Sequence, residues 1–217
     1  MAPRVVAIDG AAGAGKSTLA RSLARVLSLA YLNTGSMYRA LAAAAERHGV
    51  SPDDEEHLAG LIDGLRFRFV GDDPPELEIE GWPEAALRTF MVESSVSSVA
   101  RHPGVRMRLC DLQRRLGRDG AVVEGRDIGA VVFPDAPVKL FLVAHPSARS
   151  SRRADERHVD DRSVAAALRA RDALDARTNP LEPAAGAVVL DTTDLDVDET
   201  LEAALSIVGN LAPELLP

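Results

Sequence analysis

A glycine-rich segment near the start of the chain has the residue types and spacing of a phosphate-binding loop. The segment that begins at Gly10 matches the pattern glycine, four residues, glycine, lysine, serine or threonine. Glycines let backbone N–H groups curl around phosphates, Lys16 can reach the β- and γ-phosphates, and the Ser17 hydroxyl can hold Mg²⁺. The segment therefore predicts nucleoside triphosphate binding by Gly10, Ala11, Ala12, Gly13, Ala14, Gly15, Lys16, Ser17 and Thr18.

The absence of a guanine-binding motif indicates which nucleotide the loop binds. GTP-binding proteins with such a loop usually read guanine with Asn-Lys-x-Asp. Besides Lys16, the chain has one lysine, Lys139, and it lies in the apolar run Val-Lys-Leu-Phe. The sequence therefore favours ATP, with Mg²⁺, as the phosphate donor.

Three further groups of arginines and carboxylates could hold a second, phosphorylated ligand, because arginine forks bind phosphate oxygens in pairs. Residues 34–39 form a glycine turn that opens a helix, and residues 124–127 follow a predicted parallel strand, where open α/β sheets bind ligands. Residues 171–177 form the third group, with Arg149, Arg152 and Arg153 upstream. The first group has a structural alternative as a helix cap with a surface arginine, and the third has one as surface ion pairs.

Composition excludes several classes of protein. The 217 residues carry a formal net charge of −8, which argues against general nucleic-acid binding. No apolar run approaches the roughly 18 residues that span a bilayer, and Asp9 interrupts the apolar residues 5–8, so we expect a cytoplasmic protein with no membrane partner. The single cysteine, Cys110, excludes a disulfide framework and is expected to be buried. No obligate interface is indicated, so we expect a monomer.

The elements that must position these residues follow from hydrophobic periodicity. Strands are predicted at residues 5–8, 31–32, 121–124, 138–143 and 187–190. Residues 66–70 and 76–80 alternate around a glycine-proline turn and predict a β-hairpin inside an insertion of about residues 63–98. Helices are predicted after the glycine-rich loop, over residues 37–47, from residue 51, over 92–99, over 105–116, and from about residues 146, 163 and 198. Alternating strands and helices predict one α/β domain over residues 1–217, a central parallel sheet flanked by helices.

Taken together, these residues resemble the bacterial cytidylate kinases, a family of nucleoside monophosphate kinases that carry a phosphate-binding loop (P-loop). The resemblance covers nearly the whole chain. It rests on residues 10–18, Thr-Gly-Ser-Met-Tyr-Arg at 34–39, Leu-Arg-Thr at 87–89, Ser97, Arg106, residues 123–142, Arg171 with Asp172, Pro180 with Leu181, and Leu-Asp-Thr-Thr at 190–193. The stretch from residue 124 to 141 is the most specific.

The resemblance implies ATP-dependent phosphorylation of CMP and dCMP. It implies that Thr34, Tyr38 and Arg39 line the monophosphate site and that Arg126 binds the CMP phosphate. It also implies that Ser97, Arg106 and Asp127 read the cytosine, and a carboxylate can accept a hydrogen bond from the cytosine amino group where uracil presents an oxygen. The catalytic cations would be Lys16, Arg126, Arg171 and Arg177, with Asp175 among the substrate contacts.

The chain departs from the family pattern at three places. Asn33 stands where an aspartate usually precedes the threonine-glycine pair, and the arginine after Asp175 arrives one residue early, at Arg177. The segment between residues 153 and 171 is several residues short, so the resemblance implies a compact lid within about residues 150–177. The insertion at residues 63–98 would bind CMP.

Two other functions are compatible with a phosphate-binding loop. One is another small-acceptor kinase, such as a uridylate, adenylate or shikimate kinase, which would not explain Ser97, Arg106 and Asp127 as a set. The other is a non-catalytic nucleotide sensor, which would bind ATP without turnover and would not need arginines to neutralise a second phosphate.

Overall fold

A mainly parallel β-sheet forms the centre of the protein. The structure is a computed structural model and describes residues 3–157 and 181–217. In these residues the sheet has seven strands in the order β3-β4-β2-β5-β1-β6-β7, and every neighbouring pair except β3–β4 is parallel. The strands are β1 (Val5–Gly10), β2 (Ala30–Asn33), β3 (Phe67–Val70), β4 (Glu76–Ile79), β5 (Ala121–Glu124), β6 (Val138–Val143) and β7 (Val188–Asp191). The predicted parallel sheet is confirmed.

Helices cover both faces of the sheet. They are α1 (Lys16–Val26), α2 (Thr34–His48), α3 (Glu55–Ile62), α4 (Glu84–Leu87), α5 (Phe90–Ala100), α6 (Pro103–Gly117), α7 (Pro146–Arg157) and α8 (Val197–Leu211), with a π-helical turn at Ile128–Val132 and a 3-10 turn at Pro213–Leu215. No helix in residues 3–157 and 181–217 is long and apolar enough to cross a membrane.

Two hydrophobic cores lie on opposite faces of the sheet, because side chains alternate along each strand. Val5 and Ala7 of β1 belong to the core under α2, α5 and α6, whereas Val6 and Ile8 belong to the core under α1 and α8. All four are fully buried. A strand buried on both faces reads as a continuous apolar run, and this explains why residues 5–8 show no alternation.

The predicted hairpin is confirmed, and it is continuous with the central sheet. Strands β3 and β4 pair antiparallel, from Phe67 with Ile79 to Val70 with Glu76. At the same time β4 pairs in parallel with β2 at Tyr31, so the hairpin forms an edge of the sheet. The role of residues 63–98 as a CMP-binding insertion stays a prediction.

Some predicted boundaries are wrong by a few residues. Helix α3 begins at Glu55, four residues later than the predicted start, because the Asp54 carboxylate accepts the His57 N–H at 3.2 Å and caps the helix. The Ser51 hydroxyl instead accepts the N–H of Asp53. Helix α6 includes Gly104 and Gly117, which were expected to flank it.

Two predicted features fall outside the described residues. They are the helix near residue 163 and most of the lid at residues 150–177.

The predicted burial of Cys110 is confirmed, since 6% of this residue is exposed, and burial raises the pKa of its thiol.

Candidate active site

The glycine-rich loop connects β1 to α1, as predicted for a phosphate-binding loop. Gly10 has φ 145°, and a Cβ atom there would lie 2.3 Å from the carbonyl oxygen of Leu142, so no other residue fits. Gly15 has φ 90°, in the left-handed region, and comes directly before α1. Residues Lys16 and Ser17 therefore begin the helix, where free backbone N–H groups and the helix dipole attract phosphate.

The loop is held by hydrogen bonds to its carbonyl groups. Lys16 Nζ donates to the carbonyl of Ala11 at 2.7 Å. Arg149 Nη1 donates to the carbonyl of Ala12 at 3.1 Å. Ala14 is buried, and its carbonyl accepts the Thr192 hydroxyl at 3.1 Å. These bonds engage carbonyl oxygens of the loop, whereas phosphate is bound through backbone N–H groups.

Residues from α7 and from the chain after β7 contact this loop. From the sequence, Arg149 was placed with the third arginine group, and Thr192 was not assigned to the site. Thr192 is 1% exposed and also accepts a hydrogen bond from Arg152 Nη1 at 3.1 Å. Arg149 is 9% exposed. A threonine at the carboxyl end of a parallel strand was the available signal, because ligands bind at this edge of such sheets.

The residues predicted to bind a monophosphate lie at the start of α2, beside the end of β5. The Thr34 hydroxyl donates to the Glu124 carbonyl at 2.8 Å. Arg39 is 9% exposed, and its Nη2 atom donates to the Ser36 hydroxyl at 2.7 Å. Asn33 caps α2 by accepting the Ser36 N–H at 3.0 Å, so asparagine makes the capping bond here.

Arg126 and Asp127 follow β5 and lie near both the phosphate loop and α6. Arg126 Nη1 donates to the carbonyl of Gly10 at 3.3 Å. Asp127 forms an ion pair with Arg106 of α6, and the two side chains are 15% and 24% exposed. The structure thus brings Arg106 to Asp127, and Arg126 to the first glycine of the loop.

Tyr38 and Ser97 complete the predicted acceptor residues within the described chain. Tyr38 is half-buried, and burial raises the pKa of its hydroxyl, with Cys110 and the Arg106–Asp127 pair among its charged or ionisable neighbours. Ser97 is half-buried on α5, which packs against α2 and α6. The predicted residues Arg171, Asp175 and Arg177 lie outside the described residues.

A buried carboxylate supports the end of β5. Glu124 is 4% exposed and accepts the Tyr31 hydroxyl at 2.6 Å, while Asn33 Nδ2 donates to the same hydroxyl at 3.2 Å. Burial and the neighbouring carboxylate raise the pKa of Tyr31 well above its usual value. Tyr31 therefore stays a neutral donor that links β2 to β5 beneath the acceptor residues.

The donor set of the site suits Mg²⁺ carried by a nucleotide. The Ser17 hydroxyl is half-buried on the first turn of α1, at the phosphate end of the loop. The described residues contain no cluster of three His, Cys, Asp or Glu side chains that would hold a metal by themselves. Mg²⁺ typically takes few protein ligands and completes its shell with phosphate oxygens and water, so one hydroxyl fits this role.

Fold and site together define a class: an α/β P-loop nucleotide-binding protein with a second cationic site beside the loop. Comparisons with known proteins narrow this class. The model of the family described as cytidylate kinase matches residues 6–210. The cytidylate kinase of Syntrophotalea carbinolica is 42% identical over 215 residues, which cover 94% of this chain and 92% of that protein.

Two further relatives indicate the same family. The cytidylate kinase of Streptomyces avermitilis is 41% identical over 213 residues, covering 94% of this chain and 92% of that protein. That of Mycobacterium leprae is 41% identical over 220 residues, covering 94% of this chain and 95% of that protein. The chain belongs to the cytidylate kinase family and is a phosphotransferase.

Proposed function

We propose that the protein transfers the γ-phosphoryl group of ATP, bound with Mg²⁺, to the phosphate of CMP or dCMP, which yields ADP and CDP or dCDP. The observation that carries the proposal is the position of Arg126 and Asp127. Arg126 reaches the Gly10 carbonyl of the phosphate loop, and the next residue, Asp127, pairs with Arg106. A phosphate-binding cation and a base-reading carboxylate thus stand beside the donor loop.

The donor side holds the triphosphate of ATP. Backbone N–H groups of residues 10–18 and the Lys16 ammonium bind its phosphates, and the Ser17 hydroxyl holds Mg²⁺. Mg²⁺ supplies charge neutralisation on the phosphate oxygens. In the described structure Lys16 reaches the Ala11 carbonyl, a bond that an ammonium on a flexible stem can exchange for a phosphate oxygen.

The acceptor side holds the monophosphate with arginine forks. Arg39 is oriented by its bond to Ser36 and Arg126 by its bond to Gly10, so each guanidinium group is held in place by the protein. Thr34 adds a hydroxyl at the start of α2. Arg171, Asp175 and Arg177 belong to the proposal through the family resemblance, as contacts to ribose and phosphate from the lid.

Cytosine is recognised by Ser97, Arg106 and Asp127, with Tyr38 beside them. The Asp127 carboxylate accepts a hydrogen bond from the cytosine amino group, where the oxygen of uracil would be repelled. Arg106 holds that carboxylate in its orientation. Preference for cytosine over uracil follows from this arrangement.

The transfer itself asks for little covalent chemistry from the protein. The acceptor phosphate is already ionised at neutral pH, so no general base has to remove a proton. Lys16, Arg126, Arg171 and Arg177 align the two phosphates and stabilise the charge that develops on the transferring group. The predicted monomeric state and cytoplasmic location stay predictions.

A coupled ADP-release assay with Mg-ATP tests the function. CMP, dCMP, UMP, AMP and shikimate are compared as acceptors under one set of conditions. We expect CMP or dCMP to give the highest kcat/KM, and preference for any other acceptor would contradict the proposal. Tight ATP binding with no turnover on any of the five would point to a nucleotide sensor instead.

A further inference from the structure

A buried carboxylate links the donor loop to the segment that carries Arg126 and Asp127. Asp9 comes directly before Gly10 in β1 and is 5% exposed. Its Oδ1 atom accepts the backbone N–H of Ile128 at 2.7 Å, and its Oδ2 atom accepts that of Gly129 at 2.8 Å. Hydrogen bonds to an ionised acceptor are stronger than those between neutral groups, so these two bonds are a firm link.

These bonds begin where the backbone pairing of β1 with β5 ends. The last paired residues are Ile8 and Glu124, and the Ile8 carbonyl then accepts the N–H of Gly125 at 2.9 Å. Beyond this point the chain bends into the π-helical turn. The Asp9 side chain therefore replaces the hydrogen bonds that strand pairing no longer supplies.

The geometry of the peptide group makes this link act directly on Asp127. The N–H of Ile128 belongs to a planar group that also contains the carbonyl and the Cα atom of Asp127. Val131 N–H donates to that same carbonyl at 2.8 Å. On the other side, the Gly125 N–H is bonded to the Ile8 carbonyl and the Arg126 side chain to the Gly10 carbonyl, so the chain on both sides of Asp127 is held to β1.

Burial of Asp9 would be unfavourable if the carboxylate only filled space. Desolvation by burial raises the pKa of Asp9 despite the two backbone donors, which lower it. An apolar side chain would fill the same volume without that cost. The hydrogen bonds from Ile128 and Gly129 therefore explain why a carboxylate occupies this position.

We propose that Asp9 is a positioning residue for acceptor recognition: its carboxylate holds residues 126–129 so that Arg126 and Asp127 face the acceptor nucleotide at a fixed place relative to the phosphate loop. This inference rests on the proposed function, because it concerns selection of the base. Asparagine cannot replace the carboxylate, since its amide nitrogen is a donor and would face one of the two N–H groups.

The test compares wild type, Asp9→Asn and a control variant, Asp196→Asn. Asp196 also accepts a backbone N–H, that of Glu199 at 2.9 Å, but it caps α8. For each protein, kcat/KM is measured with CMP and with UMP, together with the Kd for ATP and thermal unfolding. We expect Asp9→Asn to lose about 10-fold to 100-fold in kcat/KM for CMP and much less for UMP, so the ratio between the two falls.

The ATP Kd of Asp9→Asn should stay within about 3-fold of wild type, and Asp196→Asn should retain the wild-type ratio. An unchanged CMP-to-UMP ratio in folded Asp9→Asn would overturn the inference. If wild type itself does not prefer CMP, the proposed function fails instead.

If Asp9→Asn does not fold, amide hydrogen exchange on the wild-type protein tests the link between Asp9 and residues 128–129. The two bonds predict that the N–H groups of Ile128 and Gly129 exchange slowly, like those of β1, in the nucleotide-free protein. Exchange as fast as in an exposed loop would overturn the link, and slow exchange would uphold it. This readout does not depend on activity.

Discussion

Arg126 connects the two halves of the candidate site at the scale of single residues, because its guanidinium reaches the Gly10 carbonyl from the acceptor side. We expect Arg126→Ala to lower kcat/KM for CMP by about 10³-fold, since an arginine that stabilises the transferring phosphate acts in the transition state. Steady-state ADP release measures this loss. Arg126→Lys should recover only part of it, because lysine lacks the two-pronged fork.

Arg118→Ala is the matched control, since Arg118 is exposed at the end of α6. It should retain wild-type kinetics. An Arg126→Ala enzyme with near-wild-type kcat/KM would remove Arg126 from the proposed phosphate contacts.

Asp127 is the residue on which the choice of base depends. Asp127→Asn replaces an acceptor with a group that can also donate to the uracil oxygen, so we expect kcat/KM for CMP to fall about 10-fold to 100-fold while that for UMP falls less or rises. Kinetics with both nucleotides test this expectation. Asp135→Asn, at an exposed carboxylate eight residues further on, serves as the control. An unchanged preference in Asp127→Asn would exclude the residue from base reading.

At the scale of elements, the end of β7 supports the phosphate loop. The Thr192 hydroxyl donates to the Ala14 carbonyl and accepts from Arg152, so Thr192→Val keeps the shape of the side chain and removes both bonds. We expect KM for ATP to rise about 3-fold to 10-fold, because the loop loses the hydrogen bond at Ala14, with KM for CMP unchanged. Thr193→Val is the control, because its hydroxyl bonds the neighbouring Asp191 instead. Equal effects of both variants on ATP would contradict a specific role of Thr192.

The elements also show how far the sequence was informative. Strands such as β5 and β6 and the hairpin were predicted closely, because apolar runs and alternation are local patterns. The pairing of β4 with β2 was not predicted, since it depends on contact between residues 31 and 76. The start of α3 was misplaced because Ser51 and Asp54 are both capping residues, and the sequence does not show which one the chain uses.

The candidate site, like the fold, was predicted only where the sequence carries a local motif. The phosphate loop, Arg126 and Asp127 stand in recognisable motifs, and the structure places them together. Asp9 and Thr192 were not predicted as functional, since their partners lie 119 and 178 residues away in the chain. A carboxylate at the end of a buried strand gives no sign of which backbone groups it will accept.

At the scale of the whole molecule, buried and exposed carboxylates should give opposite pH dependences of stability. Burial raises the pKa of Asp9 above its unfolded value, so its stabilising contribution is complete below the unfolded pKa and is lost as the pH rises through the folded pKa. As the pH rises through this acidic window, the free energy of unfolding of wild type should therefore fall relative to Asp9→Asn. Denaturant unfolding at several pH values measures the difference.

Asp191 provides the contrasting case in the same experiment. Its hydrogen bonds from Thr193 lower its pKa, so its contribution is present above the unfolded pKa and is lost as the pH falls. The difference between wild type and Asp191→Asn should therefore change with pH in the opposite sense. The same sign for both variants would contradict the assigned causes of the two shifts.

Competition between acceptors shows directly whether this phosphotransferase selects cytidine monophosphates. Equal concentrations of CMP and UMP are incubated with limiting Mg-ATP, and CDP and UDP are separated and quantified at low conversion. The ratio of products then equals the ratio of kcat/KM for the two acceptors. We expect CDP in excess by about 100-fold or more, and equal amounts of the two products, or more UDP, would contradict selection of cytidine monophosphates.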